Sequence, residues 1–294
     1  MTTDDGRYDE MDHRFWTGAA DRVDLDTVSA ARVYDYLLGG SYNYAVDRAA
    51  GEAIIARNAD APLIAKANRA FLRRAVQYLA GQGIGQFLDI GSGLPTVGNV
   101  HEIAHAVDPD ATVVYIDNDP VVIAHSREIL QDNPGATAVP GDLRRVDELF
   151  DRLTDSRLRP QLHLDRPVAV LLVAVLHFFG DDDHPQQLLA RLRDALPDGS
   201  AIAVSHLATE SFTRDDVEAV QDIYRQRGGD QPVTRTREQV CAFFGDHELV
   251  DPGLVYVSQW PTDALRDEPT VLAEDPRRCG AHGGVAFKVR GRAT

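Results

Sequence analysis

Phe87-Leu88-Asp89-Ile90-Gly91-Ser92-Gly93-Leu94-Pro95-Thr96 is a short apolar run that delivers a carboxylate into two glycines and a helix start. Strand, glycine turn and helix in that order open a parallel sheet, whose ligands bind beyond the carboxyl ends of its strands. The next apolar run closes in the same way on Tyr115-Ile116-Asp117-Asn118-Asp119, with Asp117 standing 24 residues beyond Gly93. Two acidic strand ends therefore share one glycine loop.

Working outward, β-rich runs alternate with helical ones, the pattern of a parallel sheet with crossover helices. The predicted strands are 86–90, 112–116, 136–139, 168–175 and 200–206, with helices over 96–107, 120–132, 145–153 and 184–196. Asp108-Pro109, Asn133-Pro134-Gly135 and Pro197-Asp198-Gly199 are the stops. Segments 213–227 and 237–244 read as helices, 254–259 and 284–289 as two closing strands at an antiparallel edge, and 261–281 as a long loop. Ahead of the first strand, 29–38, 46–56 and a run from Pro62 to Gly81 are helical. The expected organisation is an acidic flexible leader over 1–26, a helical cap over 27–82, and a main domain over 83–294 with a helical insertion at about 207–247. The fold class is α/β and Rossmann-like.

Composition narrows the function. With 294 residues, 44% of them hydrophobic, the chain can bury a large core. A formal charge of −16 with no Lys/Arg run argues against nucleic acid or anionic lipid as a partner. No apolar stretch approaches the ~20 residues that span a bilayer, and the acidic start is unlike a secretory signal, so a cytoplasmic place is expected. Two cysteines, Cys241 and Cys279, are too few for a disulfide framework or a four-cysteine zinc site. Nothing here fixes an oligomeric state.

The strand ends carry the chemistry. Gly91 and Gly93 let backbone approach a ligand, Ser92 adds a small polar contact, and Asp89 can orient the loop or receive the cationic amino group of a methionine moiety. Asp117 suits two ribose hydroxyls, and Asn118 would lie beside the adenine. After Pro140-Gly141, Asp142 can take the adenine amine and the Leu143 N–H a ring nitrogen. Three carboxylates around one ligand fit a cofactor without phosphate, S-adenosylmethionine. A dinucleotide fits less well, because G-x-G-x-x-G requires glycine where Thr96 stands and Pro95 interrupts the intermediate spacing. The plainest alternative is three ordinary acids at strand ends, where Asp and Gly favour turns.

These residues, together with Leu171-Leu172-Val173-Ala174-Val175-Leu176-His177, resemble the class I S-adenosylmethionine-dependent methyltransferases. The front end, Ser29-Ala30-Ala31-Arg32-Val33-Tyr34-Asp35-Tyr36-Leu37-Leu38-Gly39-Gly40-Ser41-Tyr42-Asn43-Tyr44 with Asp47-Arg48, is similar to an actinobacterial "S-adenosyl methyltransferase" family. The resemblance runs from about Thr27 onward. It implies a mostly parallel seven-stranded sheet flanked by helices, an N-terminal helical cap, and methyl transfer to oxygen or nitrogen of a small-molecule acceptor. It names no acceptor.

His177, after the fourth predicted strand, is similar in position to the general-base histidine of many small-molecule O-methyltransferases. A histidine packed beneath the cofactor is the competing reading. Its loop also holds Asp181, Asp182, Asp183 and His184, which could ligate a metal or simply cap the next helix, and no metal is assigned. His101-Glu102-Ile103-Ala104-His105 satisfies H-E-x-x-H, the zinc hydrolase signature, but lies on a short helix leaving the glycine loop. Arg32, Tyr36, Asn43 and Asp47 are candidate substrate or lid contacts if the cap folds over the crevice. Against that stands a packing role, with Arg32–Asp35 and Asp47–Arg48 as local pairs. The leading reading is a methyltransferase. Its rivals are a non-catalytic S-adenosylmethionine-binding regulatory module and, remotely, the zinc hydrolase.

Overall fold

The computed structural model describes residues 26–94, 98–154, 162–261 and 269–289. Nearly all of the leader, and the Pro95 and Thr96 positions, lie outside them.

Five parallel strands form the body: β1 (Gln86–Ile90), β2 (Thr112–Asp117), β3 (Ala136–Pro140), β4 (Ala169–Val173) and β5 (Ala201–Leu207). Their near-continuous apolar sequences follow from helices covering both faces. Beyond β5 comes antiparallel β8 (Ala281–Phe287), and on its other side the two-residue strands β6 (Glu248–Leu249) and β7 (Val255–Tyr256) share the edge. The sheet therefore has seven positions, in the order β3-β2-β1-β4-β5-β8 and then the shared edge. The chain steps outward from β1 to β3, then returns to β4 on the other side of β1. That reversal opens a crevice at the carboxyl ends of β1 and β4.

Alternate side chains along each strand enter two cores. Phe87, Val113 and Leu171 join α3 (Ala61–Gly81), α4 (Val100–Val107) and α5 (Pro120–Leu130). Leu88, Val114 and Val170 join α6 (Val146–Leu153) and α7 (Pro185–Ala195). Phe71, Ala75, Val76 and Leu79 lay α3 directly on the sheet, with Trp260 closing the end of that core. A third, smaller cluster joins α1 (Ala30–Leu38) and α2 (Ala45–Arg57) to Tyr224 of α8 (Arg214–Arg225) through Val33, Ala50 and Ile54. It roofs the crevice.

Several boundaries differ from the sequence reading. Strand β4 stops at Val173 because Ala174 turns left-handed, with φ 59°, and Leu176–Phe178 follows as a 3-10 turn. The strand expected over 254–259 is only β7, and the strand expected from 284 begins at Ala281, where pairing with Leu207 starts. Residues 261–281 are not one loop: α10 (Thr270–Glu274), the last helix after α9 (Arg237–Cys241), and the 3-10 turn Pro276–Cys279 lie within them. No helix among the described residues is long and apolar enough to cross a membrane.

Candidate active site

The glycine loop is tied to both neighbouring strands. Gly91 and Ser92 N–H both donate to the Ile116 carbonyl, at 2.8 and 3.1 Å. Gly91 has φ +69°, and a Cβ there would stand 2.3 Å from the Val175 side chain, so only glycine lets the end of β1 meet the end of β4. Gly93 N–H donates to Asp117 Oδ2 at 2.9 Å, while Asp119 N–H donates to Asp117 Oδ1 at 2.9 Å. The third corner follows β3: Gly141 N–H reaches the Asp117 carbonyl at 2.9 Å, and Asp142 accepts from Arg144 N–H at 2.9 Å. Leu143 is buried behind it.

These ends line a cavity of about 460 Å³. Asp89, Gly91, Ser92, Gly93, Asp117 and Asn118 all face it, as do Asp142, Leu143 and His177. Asp89 is 5% exposed, and its carboxylate receives no hydrogen bond from a described residue. Burial lifts its pKa to about 7, against the pull of Arg69 and with a push from Asp117. Arg69, on α3, also lines the cavity, stacked 5.7 Å from the Tyr34 ring, with no hydrogen bond or ion pair to a described residue. Two opposite charges thus face one space without joining directly. Burial also raises Asp117, to about 6, the Asp119, Gly93 and Asn118 N–H groups working the other way.

The other wall is built on the left-handed turn at Ala174. Its N–H donates to Ser205 Oγ at 2.9 Å, Ser205 donates to Asn68 at 2.5 Å, Asn68 donates to Tyr34 OH at 3.0 Å, and Tyr34 donates to the Ala65 carbonyl at 3.0 Å. Sheet and helical roof are therefore one hydrogen-bonded unit. His177 follows, buried, with Nδ1 unpartnered and its carbonyl held by Val233 N–H at 2.7 Å. Beside it Arg235, itself buried, donates to the Leu176 carbonyl at 3.2 Å, the Phe179 carbonyl at 2.8 Å and His206 Nε2 at 2.8 Å. Because a guanidinium has only donors, His206 Nε2 must accept, and Nδ1–H then faces the Leu207 carbonyl at 2.9 Å. His206 is neutral, its pKa lowered to about 4 chiefly by burial. Burial first, then His206 and Arg235, hold His177 well below the usual histidine range.

None of Arg32, Tyr36, Asn43 and Asp47 lines the cavity. Arg32 pairs with Asp47 at 2.7 Å and Asp119 at 3.2 Å, not with Asp35, because the crossing helix brings a carboxylate nearer than its own next turn does. Asp35 instead accepts from Tyr42 N–H and Asn43 Nδ2, both at 2.8 Å, and Arg48 donates to the Asn43 carbonyl at 2.7 Å. Tyr36 lies across Gly51, where a Cβ would stand 2.3 Å from its ring. The four brace the roof.

The H-E-x-x-H residues each have a local partner. Glu102 accepts from Asn99 N–H at 2.9 Å as a helix cap, His101 Nδ1 lies 2.8 Å from Tyr115 OH, and His105 Nε2 donates to the Ala111 carbonyl at 2.9 Å. Asp183 caps the 3-10 turn Asp181–Asp183 through Gly180 N–H at 2.8 Å and pairs with Arg144 at 2.8 Å, while His184 itself stands at the N-cap of α7. No group of three or more His, Cys, Asp or Glu among the described residues could hold a metal. The sequence reading missed Arg69, Tyr224 and Arg235. Each sits on a helix or loop with no motif around it, and the polar pair Asn68-Arg69 among Ala61, Ile64, Ala65 and Leu72 on one side of α3 was the available signal.

A seven-position sheet with a glycine loop at its switch point and acids at the ends of β1 and β2 and after β3 has the class I methyltransferase architecture. The chain belongs to the S-adenosyl methyltransferase family, whose model matches residues 17–289. It is similar to a DUF574 family protein from Streptomyces avermitilis, with 36% identity, a TM-score of 0.81, and 91% of this chain and 100% of that one covered. It is equally similar to a proposed methyltransferase from Thermobifida fusca, again with 36% identity and a TM-score of 0.81, over 91% and 97% of the two chains. No curated protein matches the chain. Membership of the family implies use of S-adenosylmethionine.

Proposed function

We propose that the protein is an S-adenosylmethionine-dependent methyltransferase acting on oxygen or nitrogen of a small-molecule acceptor. The observation that carries this reading is the pair Asp89 and Arg69, a carboxylate and a guanidinium facing one cavity and left without hydrogen-bond partners among the described residues. Buried polar groups demand partners, and an amino-acid end supplies both, its ammonium to Asp89 and its carboxylate to Arg69. Asp117 keeps acceptor capacity after taking two N–H bonds, which suits ribose hydroxyls. Asn118, Asp142 and the Leu143 N–H are assigned to the adenine, and Gly91, Ser92 and Gly93 to close backbone approach.

When bound, the cofactor supplies a methyl group made electrophilic by a sulfonium. The chain's part is to align the acceptor and take its proton. His177, unprotonated at neutral pH, is the group at the cavity wall able to accept one. Arg32, Tyr36, Asn43 and Asp47 serve the acceptor indirectly, by holding the roof over it. The extension of the cavity past the strand ends to α8 supports an enzyme over a silent binding module, because it leaves space for an acceptor beside the cofactor.

The test is transfer of an isotopically labelled methyl group from S-adenosylmethionine into fractionated small-molecule extracts. Labelled product with wild type and little with His177→Ala is the expected result. No product from any fraction, with the cofactor demonstrably bound, would overturn the enzymatic reading.

A further inference from the structure

The roofed end of the cavity is bounded by Val28, Leu37, Ile54, Phe178, Val220 and Tyr224. His177, Phe178 and Tyr224 form a continuous aromatic wall, with ring centroids 4.4 Å apart for the first pair and 5.8 Å for the second. Charges at this end are already paired. Asp216 is held by Arg57 at 2.8 Å, and Asp230 stands 3.5 Å from Arg144, which also serves Asp183 and Asp142. Tyr224 is 5% exposed, and its hydroxyl has no hydrogen-bond partner among the described residues.

We infer that the acceptor is an uncharged, planar aromatic molecule bearing a hydroxyl, which packs on the His177–Phe178–Tyr224 wall and uses the Tyr224 hydroxyl as a second polar contact beside His177. This rests on reading the cavity as a methyltransferase site. A carboxylate acceptor would meet no free guanidinium at this end and an ammonium no free carboxylate, so either would lose its hydration without replacement. A hydroxyl has the complementary pattern: it donates to a neutral imidazole and accepts from a phenol. In the transfer the acceptor oxygen gains the methyl group, sulfur keeps the electron pair of the broken C–S bond, and the hydroxyl proton passes to His177. Flat rings gain most from an aromatic wall, which favours edge-to-face and offset contacts.

Calorimetric titration of the full chain tests this, first with S-adenosylhomocysteine alone and then, on the saturated protein, with 2-naphthol, 2-naphthoate and 2-naphthylmethylammonium. The expected result is at least about ten-fold tighter binding of 2-naphthol than of either charged probe. Tyr224→Phe should weaken 2-naphthol about five-fold without changing affinity for S-adenosylhomocysteine. Val220→Lys, which places a free cation at this end, should shift the preference toward 2-naphthoate. Equal binding of the three probes after normal binding of S-adenosylhomocysteine would overturn the acceptor class alone. No binding of S-adenosylhomocysteine would overturn the methyltransferase reading and the acceptor with it.

Discussion

The Gly93 N–H, in the loop after β1, donates to Asp117 Oδ2 at the end of β2 across 2.9 Å, so the residue assigned to the ribose also fixes the glycine loop. Asp119 N–H takes the other oxygen at 2.9 Å. On the proposed assignment, ribose contact and loop position both depend on this one carboxylate. In Asp117→Asn one of these N–H groups would face an amide N–H₂ in place of an acceptor. The expected outcome is S-adenosylhomocysteine affinity lower by about ten- to a hundred-fold, the scale of one charge-assisted hydrogen bond. Calorimetry on the variant measures it, and unchanged affinity would detach Asp117 from the cofactor.

Asp89 makes a prediction about pH and stability together. Its folded-state pKa of about 7 lies above its ordinary value of 3.8, so the folded protein without cofactor favours the protonated form. Stability from this group is present below the unfolded value and is lost as pH rises toward 7, by up to roughly 4 kcal/mol. Asp89→Asn should therefore raise the unfolding midpoint of the cofactor-free protein at pH 8 and change it little at pH 4. The same variant should lose cofactor binding. In wild type, an ammonium ligand needs the ionised carboxylate, so affinity should fall by about ten-fold between pH 8 and pH 6. Thermal melts and titrations across that range check both.

Arg235 gives a test of the His177 wall. Arg235→Leu removes the donor from the Leu176 and Phe179 carbonyls and from His206 Nε2 at once. Each buried acceptor left alone costs about 1–3 kcal/mol, so a loss of about 3 kcal/mol or more in urea unfolding is expected. Arg235→Lys should recover part of it, having fewer donors but the same charge. Equal stability of the three proteins would contradict the bracing role.

How far the sequence could lead depends on where each residue's partners lie. That Asp89, Gly91, Asp117 and Asp142 line one cavity was legible because parallel strand ends must converge, so position along the chain fixes position in space. Arg69 was not, since only the tertiary packing of α3 on the sheet turns that side chain toward Asp89. Arg32 was read with the wrong carboxylate because spacing along a helix reports its next turn and says nothing of a helix crossing it. The end of β4 was overrun because Val173 and Val175 are equally good strand residues, and the turn between them is an alanine. Strands β6 and β7, with two residues each, have no periodicity to read.

The H-E-x-x-H stretch leads to a stability expectation. Glu102→Ala removes the side-chain acceptor of the Asn99 N–H at the start of α4 and should cost about 1 kcal/mol. Cofactor affinity should stay the same, and a chelator should leave the unfolding midpoint unmoved. Stoichiometric zinc with a chelator-sensitive midpoint would contradict the capping role.

The most direct test of the central claim is calorimetric titration of wild type and Arg69→Gln with S-adenosylmethionine at pH 8. Wild type is expected to bind one molecule per chain, and Arg69→Gln at least about ten-fold more weakly, with an unchanged unfolding midpoint at pH 4, where Asp89 is protonated. Absence of measurable binding by wild type, or equal affinity in the two proteins, would contradict the account of Asp89 and Arg69 as the two ends of the cofactor's amino-acid site.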